Sequence, residues 1–218
     1  MKKILFAAFG FAALTFANNT NAQQGFSLNV KATPQFSFLQ NSDDKDNSSL
    51  EKKATFNAAF GVGAGYNFNA TSGIGLDVIY SLQGQRYEAG STEVNQKLNY
   101  IKIPVYYTFN TDASKPVSFI AKVGPQLSLL TSAKVSDKDG NEIVSDNKDA
   151  YENATFGGVV GAGVQFKLNK SLFLTTNARF DYDFTNAENE NYSSYPAGRA
   201  ATNNMTTGLE VGLKYLLR

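Results

Sequence analysis

The chain has 218 residues, 20 basic and 19 acidic side chains, and a formal net charge of +1; with no basic run either, nothing in its charge invites a nucleic acid. It has no Cys and no His, which excludes disulfide and thiolate chemistry and removes the commonest metal ligand and general base. Phe and Tyr are abundant and Trp is absent, and no apolar run reaches the ~20 residues that a membrane-spanning helix needs.

Residues 1–22 read as a secretory signal. Lys2 and Lys3 give a basic start, "ILFAAFGFAALTFA" is a short apolar stretch, and Ala22 closes a small and polar segment fit for cleavage. A cut there leaves one domain, residues 23–218, and with no Cys after the cut no lipid anchor is expected.

From there the hydrophobic pattern has period two, the signature of strands. Residues 26–39 set Phe26, Leu28, Val30, Ala32, Phe36 and Phe38 against Ser27, Asn29, Lys31, Thr33, Gln35 and Ser37. Residues 54–69 set Phe56, Phe60, Val62, Tyr66 and Phe68 against Asn57, Gly61, Gly63, Gly65 and Asn67. The same alternation runs through 74–87, 98–109, 117–135, 154–168, 172–184 and 205–217, which makes eight strands. "NATSG", "NTDASK" and "NK" are short turns, whereas 40–53, 88–97, 136–153 and 185–204 are long polar loops. No capped amphipathic helix is visible after the signal.

A meander of this kind closes as a soluble barrel with apolar residues inside, or as a membrane barrel with apolar residues outside. Three features favour the membrane. Many strands run to about ten residues or more, the span that tilted membrane strands require. Aromatics on the apolar face gather at strand ends: Phe26, Tyr66, Phe68, Tyr107, Phe109, Phe166 and Tyr215 toward one rim, and Phe36, Phe38, Phe56, Tyr80, Phe156, Tyr182 and Phe184 toward the other. Two such belts suit two membrane interfaces. Every short turn then lies on the periplasmic rim and every long loop outside. The expected fold is an all-β, eight-stranded, antiparallel up-and-down transmembrane barrel in the cell outer membrane.

The glycine-rich face then lines a narrow interior, because eight strands leave just enough room for side chains to fill. Asp77, Lys102, Lys122, Arg179, Asp181 and Glu210 all fall on that face by parity. They are the candidates for a structural charge network that plugs the lumen, since buried charges must pair. Lys31, Lys167, Asp183 and Lys214 share the face.

Four segments, "GLDVIYSLQGQRY", "LNYIKIPVYYTF", "FIAKVGPQLSLLTSAK" and "FGGVVGAGVQFKL", resemble the PorT-like outer-membrane β-barrel family. The likeness rests on a Y-S-x-Q-G segment, a Y-I-x-I-P strand and a V-G-P strand, and it spans nearly all of the mature chain. It implies an eight-stranded outer-membrane barrel with no reaction or ligand attached, and one relative assists protein secretion. Outer-membrane barrels usually end in an aromatic residue; here the last aromatic is Tyr215.

No enzyme is expected. The carboxylates of Asp181 and Asp183 could do acid–base work, but they lie beside Arg179 and the lysines, where a structural ion pair is the simpler reading. No nucleophile elbow surrounds any Ser. "SDKDGNE" (136–142) offers oxygen ligands but not the spacing of a calcium loop, and Asp139-Gly140 favours a two-residue hairpin turn that lets the strands extend past the membrane. No metal or cofactor is expected. The function expected is non-enzymatic: an envelope structural role, or contact of the external loops with a surface ligand, a protein or lipopolysaccharide. The alternatives are a narrow channel for ions or small solutes, an accessory role in protein secretion, or a soluble periplasmic barrel with an apolar ligand inside. Oligomeric state stays open.

Overall fold

Alternation with period two builds antiparallel strands that follow one another around a ring. The computed structural model describes residues 24–46, 51–90 and 92–217, so the expected signal segment lies outside the described residues. The strands are β1 (Gly25–Gln40), β2 (Glu51–Asn67), β3 (Ser72–Ala89), β4 (Thr92–Asn110), β5 (Val117–Asp137), β6 (Glu142–Val144), β7 (Ala154–Lys167), β8 (Leu172–Asp183) and β9 (Asn203–Leu216). Eight of them form the wall: each pairs with the next, β5 passes directly to β7, and β1 pairs with β9 to close the ring. The three-residue β6 pairs only with the outer end of β5.

The wall is inverted relative to a soluble barrel. Val30, Val62 and Val78 stand in register and are 53%, 58% and 44% exposed, whereas Asp77 beside them is fully buried. Outward apolar side chains and inward polar ones are stable only where lipid replaces water outside. The outward aromatics cluster at both rims, with ring centroids 4.9 Å apart for Phe26–Tyr66 at one end and 5.2 Å for Phe36–Phe56 at the other.

The short turns share one device, a side-chain oxygen that takes up backbone N–H groups. Asn69 Oδ1 accepts from the amides of Thr71 and Ser72, and Asn169 Oδ1 accepts from those of Ser171 and Leu172, all within 2.8–2.9 Å. Asp112 Oδ1 accepts from the amide and hydroxyl of Ser114, and that hydroxyl bond holds the Asp112 carboxyl below its usual value.

Four details depart from the sequence reading. Residues 88–97 are not a long loop. β3 and β4 stay paired out to Ala89↔Thr92 and turn at Gly90, whose φ of 61° is the left-handed conformation glycine tolerates. A short helix, α1 (Ser42–Asp46), opens the first loop because Asn41 Oδ1 caps the amides of Asp43 and Asp44. The Asp139-Gly140 turn has three loop residues, not two: Asp137 N–H bonds the Asn141 carbonyl around Lys138, Asp139 and Gly140, and Gly140 sits at φ 88°. Finally, β2 and β3 part between Ala54 and Ala59. There β1 replaces the missing ladder from inside: Gln35 donates to the Leu82 carbonyl at 2.9 Å, while Ser37 donates to the Gly84 carbonyl and accepts from its amide.

Candidate functional site

The interior is a stack of side chains from the inward faces of the strands. β3 and β4 place Asp77, Lys102 and Tyr106 there, β5 places Lys122 and Gln126, β8 places Arg179 and Asp181, and β9 places Glu210; each is under 9% exposed. Glu210 is the hub. Lys122 Nζ donates to both of its oxygens at 2.7 Å, Arg179 Nη1 donates to Oε2 at 2.9 Å, and Lys31 Nζ lies 3.9 Å from Oε1. Lys31 also pairs with Asp77, whose other oxygen accepts the Tyr106 hydroxyl at 2.9 Å. One level outward, Arg179 Nε donates to Asp181 at 3.0 Å and Lys102 reaches Asp181 at 3.1 Å, with the Thr206 hydroxyl donating to the same carboxylate. The second guanidinium arm ends on Gln126 Oε1.

All six residues singled out by parity therefore join one connected network. Lys31, Tyr106, Gln126 and Thr206 complete it, and parity gave a signal for each of them without naming its partner. Charges removed from water in this way are held by opposite charges and hydrogen bonds on most sides. Two glycines make the room: a Cβ on Gly63 would overlap the Asp77 carboxylate, and one on Gly161 would come within 3.0 Å of Lys122 Cε. Asp183 stands apart from Asp181 in its bonding, accepting from Thr155 at 2.7 Å and Ser128 at 3.3 Å.

Outside the charged layer the lumen ends in an apolar cap of Leu39, Leu98, Tyr100, Leu130, Ala133 and Tyr151. Leu130 continues the inward row of β5, and a register shift opposite Asn99 and Tyr100 turns Ala133 inward beside it. Tyr151 comes from the loop between β6 and β7, and burial pushes its phenol well above the ordinary value, so it enters the cap uncharged.

The external loops are tied together above this cap. Arg199 clamps Asp44 of α1 with Nη1 at 2.7 Å and Nη2 at 3.1 Å, and holds Glu188 with Nε at 2.6 Å. Asp43 accepts the Ala200 amide, and Asn41 donates to the Ala200 carbonyl and to Thr202. The loop after β6 joins the same assembly through Glu152 N–H to the Ala187 carbonyl and Asn189 N–H to the Ala150 carbonyl. In the β5–β6 turn, Asp137 uses its carboxylate on the amides of Asp139 and Asn141, and the Asn141 side-chain amide holds its carboxyl below the usual value. Arg199→Ala is expected to loosen the last loop, which then keeps only the Asp43 and Asn41 bonds to the first. Proteinase K added to intact cells should then cut within residues 185–202 faster than in the parent, while the heat-modifiable gel form of the barrel is unchanged.

A closed eight-stranded meander, apolar outside and charged inside, defines a small transmembrane barrel of the cell outer membrane. Residues 16–189 match the model of the outer membrane protein beta-barrel domain, and the chain belongs to that family. No curated protein sequence matches it. Among solved structures it is similar to Neisserial surface protein A of Neisseria, at 16% identity and TM-score 0.46 over 88% of this chain and 97% of that one. It is also similar to Ail, the attachment invasion locus protein of Yersinia pestis, at 14% identity and TM-score 0.43 over 87% and 99%, in a complex with the heparin analogue sucrose octasulfate. The outer membrane protein OprG of Pseudomonas aeruginosa gives 8% identity and TM-score 0.48 over 90% and 98%.

Proposed function

We propose that this protein is a non-enzymatic, plugged outer-membrane barrel that presents interlocked external loops to a partner at the cell surface. The observation that carries this reading is the filled lumen. The Glu210-centred network occupies its middle and the Leu98–Tyr100–Leu130 cap lies over it. Function is thereby directed to the loops, where Arg199 joins the first to the last. The non-enzymatic part rests on the engagement of Asp181 and Asp183, whose oxygens are taken up by Arg179, Lys102, Thr155 and Ser128, so that neither of these two carboxylates is free to act as a base. Outer-leaflet lipid and lipopolysaccharide surround the barrel in this reading, and a surface ligand or protein meets the loops. Membership of the PorT-like group, with its accessory role in secretion, belongs to the same proposal and rests on the Tyr80–Gly84 and Tyr100–Pro104 segments.

Planar-bilayer recording tests the plug. The refolded protein is expected to insert without discrete current steps. Steady, ion-selective steps would sink the plugged barrel and establish the second reading, a narrow channel, which draws on the polar chamber in the periplasmic half of the lumen.

A further inference from the structure

Between the charge network and the periplasmic mouth the lumen keeps a cavity of about 70 Å³. Its wall includes Lys31, Lys122, Glu210 and Lys214, together with Asn29 and Asn110. The carboxylates deeper in are committed: Glu210 to Lys122 and Arg179, and Asp77 to Lys31 and Tyr106. Lys214 is left over. Among the described residues it meets no carboxylate, and its ammonium lies 5.6 Å from the centre of the Phe173 ring. That ring is 3% exposed and Leu216 is 2% exposed, so apolar groups line the end nearest the periplasm. Lys214 itself is half-buried, and an ammonium set against apolar groups without a carboxylate beside it gains from a counter-charge.

The polar wall is also short of partners. The side-chain oxygens of Asn29 and Asn110 are buried without a hydrogen bond. Buried polar atoms without partners are rare in native proteins and point to a bound species. Those oxygens are acceptors, but each amide can turn over to present its NH₂ group, and the Thr108 hydroxyl on the wall can donate, so the wall can supply neutral donors beside the Lys214 cation. The space exceeds what one water needs, roughly 10–15 Å³ on this measure, so an ion can enter with part of its hydration shell. Donors without a free carboxylate select an anion. The confined volume selects a small one.

We propose that this chamber is a binding site for a small inorganic anion of halide type, held by Lys214 and the surrounding amide and hydroxyl donors. The plug above makes the site a dead end and not a conduction pathway. The proposal is independent of what the external loops bind.

The test compares the folded protein in detergent micelles in sodium chloride and in sodium gluconate at equal ionic strength, reading the temperature at which the heat-modifiable gel form is lost. Chloride is expected to raise that midpoint in a saturable way, because it binds the folded barrel only. In Lys214→Gln the difference between the two salts is expected to disappear. Crystals grown in sodium bromide should show anomalous density next to Lys214 Nζ. Equal midpoints for the parent in both salts, or no bromide density in the chamber, overturns the proposal without any variant having to fold. A full chloride shift retained by Lys214→Gln overturns the role of that lysine and with it the site.

Discussion

Glu210→Ala is expected to cause the largest loss of stability of any single lumen substitution. The carboxylate meets Lys122 at 2.7 Å and Arg179 at 2.9 Å, with Lys31 at 3.9 Å. Lys122 has no other carboxylate partner among the described residues, so the truncation leaves a buried ammonium with only the Tyr106 ring, 5.2 Å away, for company. Removing one member of a buried charge pair costs about 3–5 kcal/mol, because the partner keeps its desolvation penalty and loses its compensation. The measurement is urea unfolding in lipid vesicles, followed by the folded gel form at each urea concentration. The double variant Glu210→Ala/Lys122→Met should recover part of the loss, since it removes the stranded charge as well. A single variant that unfolds like the parent would mean that water already solvates these groups, and the plugged lumen would have to be abandoned.

That prediction rests on pairings only partly legible in the sequence. Period two decides whether a side chain points in or out, and in a closed barrel nothing else decides it, so strand order, lipid-facing side and inward residues could be read from residues 26–217. Across the lumen, parity is silent. Lys122 and Glu210 are 88 positions apart, and Lys102 and Asp181 are 79 apart; which cation meets which carboxylate depends on strand tilt and stagger around the ring. The apolar cap was hidden in part, for a different reason. Leu39, Leu98, Tyr100 and Leu130 follow the inward parity, but the register shift opposite Asn99 and Tyr100 breaks the parity of β5 beyond Leu130, which is what turns Ala133 inward as well. Tyr151 joins them from a loop that has no periodicity to read. The external ties were equally illegible. Arg199 looks like one more polar loop residue until Asp44, 155 positions away, is brought beside it. The outer part of the β3–β4 hairpin reads as a loop because residues 88–97 are mostly polar on both faces. A ribbon that stands in water on both sides has no reason to alternate.

Val62→Lys is expected to cost about 2–4 kcal/mol in a bilayer, the range for a lysine at the midplane of a membrane barrel. Val62 pairs with Val30 on one side and Val78 on the other, midway between the two aromatic rims, and all three side chains point outward. Val117→Lys is the control. Val117 is also outward, at 51% exposure, but it opens β5 at the periplasmic turn, where a lysine costs roughly 0–1 kcal/mol because its ammonium reaches the interface. Urea unfolding of both variants in vesicles reads the difference. The two variants carry the same new charge on the same face, so net charge and lost packing are nearly matched and depth is what separates them. If water bathed the outer wall, both lysines would be tolerated alike, since a surface substitution away from special features usually changes stability by less than about 0.5 kcal/mol. Equal midpoints for the two variants would therefore contradict the lipid-facing wall, and with it the reason for the barrel to carry its charges inside.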